Sequence, residues 1–229
     1  MKKLLFATVG ALTVALAGAA AAADLGRQSA MPAKAPTAYV APIYNWTGMY
    51  LGINGGAGWG NSSWTNVGGT TGDFDLSGGL IGVTLGYNWQ AGQMVFGVEG
   101  DLDWSSIDGT TNATICATGC TTQNNWLSTV RGRLGFAYDR IMPFITGGVA
   151  FGDVEANRTG FSGETDTQAG WTLGGGVEFA LPGNWTAKGE YLYVDLGDIT
   201  CSTAACGGAG PTEVKFNSHL LRGGLNYRF

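Results

Sequence analysis

The chain has 229 residues, of which 40 are glycine and only 13% are charged, with a formal net charge of −5. Soluble domains average ~7% glycine and ~25% charge, and helix interiors tolerate glycine poorly, so this composition argues against a soluble helical domain. Without a lysine or arginine cluster the acidic chain offers no nucleic-acid surface. No apolar run reaches the roughly 18 residues of a spanning helix.

Lys2 and Lys3 open the chain, an apolar stretch runs from Leu4 to Leu16, and Ala21-Ala22-Ala23 precedes Asp24. That order reads as a secretory signal peptide over 1–23. Its removal leaves 10 basic residues against 17 acidic ones, a net charge of about −7. The following stretch, 24–45, is rich in alanine and carries Pro32, Pro36 and Pro42, which predicts an extended periplasmic linker.

From residue 46 onward, eight amphipathic segments are predicted: 46–59, 78–89, 94–104, 126–138, 143–153, 169–181, 185–196 and 219–229. The gaps between them alternate. Four are long and polar, while Gln90–Gln93, Asp139–Met142 and Pro182–Asn184 are short. Long connections on one side and tight turns on the other are the layout of an even-stranded outer-membrane barrel with both termini in the periplasm.

The two faces of each segment differ in kind. Met94, Phe96, Val98 and Leu102 alternate with Glu99, Asp101 and Asp103; Val130, Leu134 and Phe136 alternate with Arg131 and Arg133. Trp171, Leu173, Val177 and Phe179 oppose Glu178, and Trp185, Tyr191 and Tyr193 oppose Lys188 and Glu190. Ile81, Val83, Leu85, Tyr87 and Trp89 form a wholly apolar face. Placing the charged faces outward would put Arg or Lys in lipid at about 2–4 kcal/mol each at mid-depth, so the apolar faces point out. Charge is expected on the outer face only at its margin, at Asp153 and Asp195. Trp46, Trp89, Trp104, Trp126 and Trp185, with Trp59, Tyr138 and Phe229, fall near segment ends, where aromatic girdles sit at headgroup level.

The last segment alternates to the final residue. Leu221, Leu225, Tyr227 and Phe229 share one face; Arg222, Gly224, Asn226 and Arg228 share the other. A bare amphipathic edge invites aggregation, and pairing it with the segment beginning near Trp46 removes the edge. The fold expected for 46–229 is therefore all-β: a single eight-stranded antiparallel transmembrane barrel.

Such a barrel is just wide enough inside for side chains to fill it. The predicted lumen network comprises Glu99, Asp101, Glu178 and Glu190 with Arg131, Arg133, Lys188, Arg222 and Arg228, paired because an enclosed charge needs a partner. A narrow polar channel is the competing expectation. Cys116 and Cys120 fall in the second long gap, Cys201 and Cys206 in the fourth. In an exported chain local disulfides Cys116–Cys120 and Cys201–Cys206 are favoured, with the other two pairings and a four-cysteine metal site as alternatives. Ser218 and His219, near Glu213, are adjacent on a strand and so point to opposite faces, which disfavours a catalytic pair. Acidic long-gap residues such as Asp73, Asp75, Glu164 and Asp198 read as a solvated surface or as cation bridges to lipopolysaccharide phosphates.

The stretch Ala41-Pro-Ile-Tyr-Asn-Trp-Thr-Gly-Met-Tyr50, the segment Gly189-Glu-Tyr-Leu-Tyr-Val-Asp-Leu-Gly197 and the final strand resemble the alphaproteobacterial outer-membrane immunogenic proteins, opacity-like eight-stranded barrels of the porin family. The resemblance implies an assembly motif, polar-x-Gly-x-x-apolar-x-aromatic, read by the barrel-insertion machinery; Arg222, Gly224, Tyr227 and Phe229 fit it. Some members are described as hemin-binding, which makes His219 a candidate haem ligand. The expectation is an integral outer-membrane protein with a structural, surface-display role, lipid and lipopolysaccharide as its surroundings, no cofactor and no enzymatic activity. A small-solute channel and a surface binding module for haem or a host or environmental ligand are the alternatives. Oligomeric state stays open.

Overall fold

The structure is a computed structural model that describes residues 44–229 except 117, 208 and 209. The expected signal peptide and nearly all of the expected linker lie outside the described residues. Among the described residues eight long strands run in sequence: β1 Gly48–Asn66, β2 Phe74–Ala91, β3 Met94–Thr111, β4 Cys120–Phe136, β5 Ile141–Arg158, β6 Glu164–Ala180, β7 Trp185–Cys201 and β8 Thr212–Arg228. Each is antiparallel to the next, and β8 pairs back onto β1 from Tyr50↔Arg228 to Thr65↔Glu213. Closure leaves no long strand edge, which is what allows β-structure to cross hydrocarbon.

Alternation puts the two sides of each strand in different surroundings. Ile81, Leu85, Val98, Ile145, Leu173 and Leu221 all stand more than half exposed on the outer surface. A continuous belt of this kind far exceeds the apolar patch a soluble monomer shows, and a bilayer is what covers it.

The strands are 17 to 19 residues long. Crossing the apolar band takes about 9–11, so each strand continues well past it. The extension lies at the end away from the short turns. It absorbs most of the four gaps expected to be loops, leaving 67–73, 112–119, 159–163 and 202–211 as connections. A two-residue strand, Gly69–Thr70, folds back on the end of β1. In this upper part the faces invert. Trp64, Leu76, Ile107, Val154, Ile199, Val214 and Phe216 point inward into one apolar core, while Asp75, Asp108, Glu213 and Lys215 point out.

Bulges mark the transition, at Trp104/Ile107 in β3, Gln123/Leu127 in β4 and Asp195/Asp198 in β7. Each adds local twist, and those in β4 and β7 shift which residues face inward. Asp153, expected as a charge on the outer margin, is instead buried at the β4 bulge. Its carboxylate accepts the backbone N–H groups of Asn125 at 2.8 Å and Trp126 at 2.9 Å, donors that the bulge withdraws from the ladder.

Candidate functional site

The middle of the lumen is a charged network in which cross-strand pairing does much of the positioning. Glu99 and Arg131 are cross-strand partners, as are Glu190 and Arg222. Arg131 grips three carboxylates: Nη2 lies 2.5 Å from Glu99 Oε1 and 2.5 Å from Asp101 Oδ2, and Nη1 lies 3.0 Å from Glu190 Oε2. Arg222 does the same from the closing strand, reaching Asp103 at 2.6 Å, Glu190 at 2.7 Å and Asp101 at 3.2 Å. Lys188 Nζ bridges Glu99 at 2.8 Å and Glu190 at 3.2 Å. Arg133 donates to Glu178 at 2.7 Å and lies 4.1 Å over the Phe144 ring. Hydroxyl and amide groups add further hydrogen bonds: Thr84 and Thr129 donate to Asp101, and Thr186 and Asn226 to Glu178. A charge this enclosed is tolerable only when paired and hydrogen-bonded, and these side chains meet both conditions.

All the residues expected in the network except Arg228 are therefore together, with Asp103 and Tyr50 added. Tyr50 Oη donates to Glu99 Oε2 at 2.7 Å and accepts from Arg133 at 3.2 Å. Its ring lies across Gly86, where a Cβ would overlap the phenol, so only glycine fits beneath it. Arg228 lies below the network, at the short-turn end, where it donates to the backbone carbonyl of Asn45 and sits 4.5 Å over the Tyr44 ring. Its inward parity is right, but the barrel has ended and the guanidinium meets the incoming chain instead.

That incoming chain closes the short-turn end. Trp46 is fully buried against Val95, Ala137, Met142 and Ala180, with its indole N–H donating to the Asp139 carbonyl at 3.1 Å. It is a plug and not a girdle residue, because it precedes β1 and the chain passes under the barrel before entering the sheet. Tyr44 stacks edge-on against it at 4.8 Å. Partial burial pushes the Tyr44 phenol above its ordinary value, keeping it neutral.

The opposite end is closed by the apolar core of the strand extensions. Both disulfides belong to it: Cys116–Cys120 and Cys201–Cys206 are formed, and all four residues are buried. Trp64 crosses the bore there, its indole N–H donating to Thr122 Oγ1 at 3.0 Å. The lumen is thus filled at three levels, aromatic and apolar at the base, ionic in the middle, apolar and cross-linked at the top.

On the outside, Trp89, Trp104 and Trp185 are exposed and Trp126 is half-buried. Among the assembly-motif residues, Arg222 and Gly224 face the lumen. Tyr227 faces outward, packed edge-on against Trp185 at 5.2 Å and Phe229 at 5.3 Å, and the Phe229 N–H donates to the Met49 carbonyl at 2.9 Å. Ser218 is buried on the lumen side. His219 lies outside, its Nδ1 2.6 Å from Tyr191 Oη, so the fold does not bring the serine and the histidine together.

A closed barrel with an outward apolar belt, aromatic margins and an ion-paired interior defines an integral outer-membrane β-barrel protein. Residues 9–229 match the family described as "Outer membrane protein beta-barrel domain", and the chain belongs to that family. It is 38% identical to the 31 kDa outer-membrane immunogenic protein of Brucella melitensis biotype 1, over 100% of both chains. It is 37% identical to the 22 kDa outer membrane protein of Rhizobium leguminosarum bv. viciae, over 70% of this chain and 69% of that one. Among solved structures it is similar to neisserial surface protein A, with a TM-score of 0.46 and 16% identity over 80% of this chain and 98% of that one. The protein accordingly resides in the outer membrane of a Gram-negative bacterium.

Proposed function

We propose that this protein is a non-conducting structural element of the outer membrane that supports envelope integrity and displays a compact, disulfide-bonded head above the bilayer. One observation carries the reading: the side chains of Arg131, Asp101, Glu190 and Arg222 at the centre of the lumen network have 0% exposure, which leaves no room for a water-filled path past them. The short-turn end faces the periplasm in this reading, and the long-loop end faces the medium. The immunogenic designation of the Brucella relative supports surface display. Purified barrel reconstituted in planar bilayers should give no discrete conductance steps. Sustained single-channel currents would establish the porin-like alternative instead.

The final strand is also the segment offered to the insertion machinery. Removing Phe229 should lower the amount of folded barrel reaching the outer membrane while leaving the heat-modifiable gel mobility of the assembled fraction unchanged. A deletion that assembles at the full level would exclude that role.

A further inference from the structure

The outer surface of the barrel seam, where β7, β8 and β1 meet, is unlike the rest of the belt. Three outward glycines stand side by side across it, because Gly189 pairs with Gly223 and Gly223 pairs with Gly55. Beside Gly55 and Gly223, where no side chains fill it, the surface sinks into an apolar groove of about 540 Å³ that runs from β8 across β1 to β2 and β3, walled by Ile53, Ile81, Val83, Trp104 and Leu225. The groove is open to the lipid side of the wall.

Directly above it on the same three strands is a polar aromatic platform. Following the outward face up each strand leads from Gly55 to Trp59, from Gly189 to Tyr191 and Tyr193, and from Gly223 to His219. Trp59 and His219 are cross-strand partners, as are Tyr193 and His219. The imidazole stacks on Trp59 at 6.3 Å with an interplanar angle of 18°, and contacts Tyr193 at 5.2 Å. Tyr191 Oη occupies His219 Nδ1, which leaves Nε2 with no protein partner among the described residues. One strand position further up, Asn61, Asn217 and Asp195 form a polar rim, paired across the seam in the order Asn61↔Asn217↔Asp195.

The level of this platform follows from strand geometry. His219 is ten residues from Phe229. At roughly 3.4 Å per residue and a tilt of roughly 40°, that is about 26 Å above the short-turn end. An apolar band ~25 Å tall therefore ends at His219, at the headgroups of the outer leaflet. The second ring nitrogen is free there to bond a headgroup hydroxyl, and flat rings edged by amides and a carboxylate suit the face and hydroxyls of a sugar. The groove below suits an acyl chain. The two halves together match an amphiphile with a glycan head.

We propose that the seam is a binding site for the outer-leaflet glycolipid. The sugar head of a lipid A-type molecule rests on Trp59, Tyr193 and His219, and an acyl chain lies in the groove beside Gly55 and Gly223. The site rests on the orientation given under Proposed function, but it does not depend on whether the lumen conducts. The conductance test and the lipid test therefore fail separately.

Native mass spectrometry of folded protein purified from outer membranes, with lipid A or phosphatidylglycerol added in detergent, reads the site. Wild type should retain lipid A at concentrations roughly tenfold below those needed for phosphatidylglycerol. Gly223→Leu and His219→Leu should each abolish that preference. The leucine at 223 is sterically admissible, since its Cβ would meet nothing nearer than the Lys188 carbonyl at 4.0 Å; Gly55→Leu, also in the groove and with the Leu80 carbonyl at 3.5 Å as its nearest neighbour, serves if the first variant folds poorly. Gly132→Leu, on an outward glycine pair with Gly147 away from the seam, should bind as wild type. Equal retention of the two lipids by wild type would overturn the site. So would an unchanged preference in folded Gly223→Leu and His219→Leu, or a wild-type dimer that Gly223→Leu dissolves.

Discussion

The lower and upper halves of this barrel are made from the same eight strands, yet they are built inside out relative to one another. Below the bulges, Arg131, Glu190 and Arg222 are inside and Val130, Leu173 and Leu221 are outside. Above them, Trp64, Ile107, Val214 and Phe216 are inside and Asp75, Glu213 and Lys215 are outside. The difference lies in the solvent. Hydrocarbon gives apolar side chains no reason to gather inside, so cohesion in the lower half comes from ion pairs and hydrogen bonds in a bore that water does not reach. In the upper half water is outside again, and ordinary hydrophobic burial supplies the core. Closure of the sheet lets one backbone serve both.

The sharpest way to break the comparison is to remove one lower cation. Arg131→Leu takes one cation from Glu99, Asp101 and Glu190 together and leaves Lys188 and Arg222 to serve all three; breaking a buried pair costs about 3–5 kcal/mol. The gel-shift midpoint of purified barrels on heating should fall further for this variant than for any surface change. The fall should not depend strongly on salt, because screening does not reach the lumen. In the upper half the matching change is Phe216→Ala, at about 3–5 kcal/mol as a large-to-small core substitution. Its effect should be local. Hydrogen exchange should rise in the strand ends beyond the bulges while amides around the charged network stay protected. If both variants loosen the two halves equally, the halves are one cooperative unit and the division fails.

The lower half is readable from sequence because its alternation is strict and its two faces cannot be exchanged. A charged residue two positions from another, such as Arg131 and Arg133, fixes the register of a whole strand. The upper half is hidden for a physical reason. The expected segments stop at 104, 126 and 196, which are the bulges, where the extra residue shifts the phase of β4 and β7. Beyond them the polar-outside pattern of Thr, Asn and Asp looks like loop. Of the apolar residues that would betray a core, Ile199 is inward on a strand whose parity has changed, while Val214 and Phe216 keep the parity of Arg222 but lie beyond the expected start of the last segment at 219. Tyr50 is recoverable, since it shares parity with Gly52 and Asn54 on an otherwise apolar strand. The plug formed by Trp46 and the diversion of Arg228 are not, because both depend on how the chain passes beneath the barrel, and periodicity says nothing about that path.

Smaller effects sharpen the division further. Each disulfide closes a short loop, with sequence separations of 4 and 5, and the chain-entropy estimate for such a loop is about 2 kcal/mol. Because all four cysteines belong to the upper core, replacing Cys201 and Cys206 with serine should raise exchange and proteolysis near 202–211. The heat-modifiable mobility of the barrel should stay near wild type. A large loss of barrel stability would mean that the cross-links hold the lower half as well.

The smallest effect belongs to the pair that looks most like those in the lumen. Lys215 Nζ lies 3.6 Å from Asp198, but the two side chains are 57% and 50% exposed. Exposed ion pairs contribute about 0–1 kcal/mol, since water solvates both partners when they separate. Lys215→Ala should therefore move the unfolding midpoint little, and added salt should remove what difference remains. The same chemical contact, an ammonium against a carboxylate, holds the lower barrel together through Lys188 and Glu99. What separates the two pairs is access of water, and a Lys215 variant as damaging as one at Arg131 would show that access is not the deciding variable.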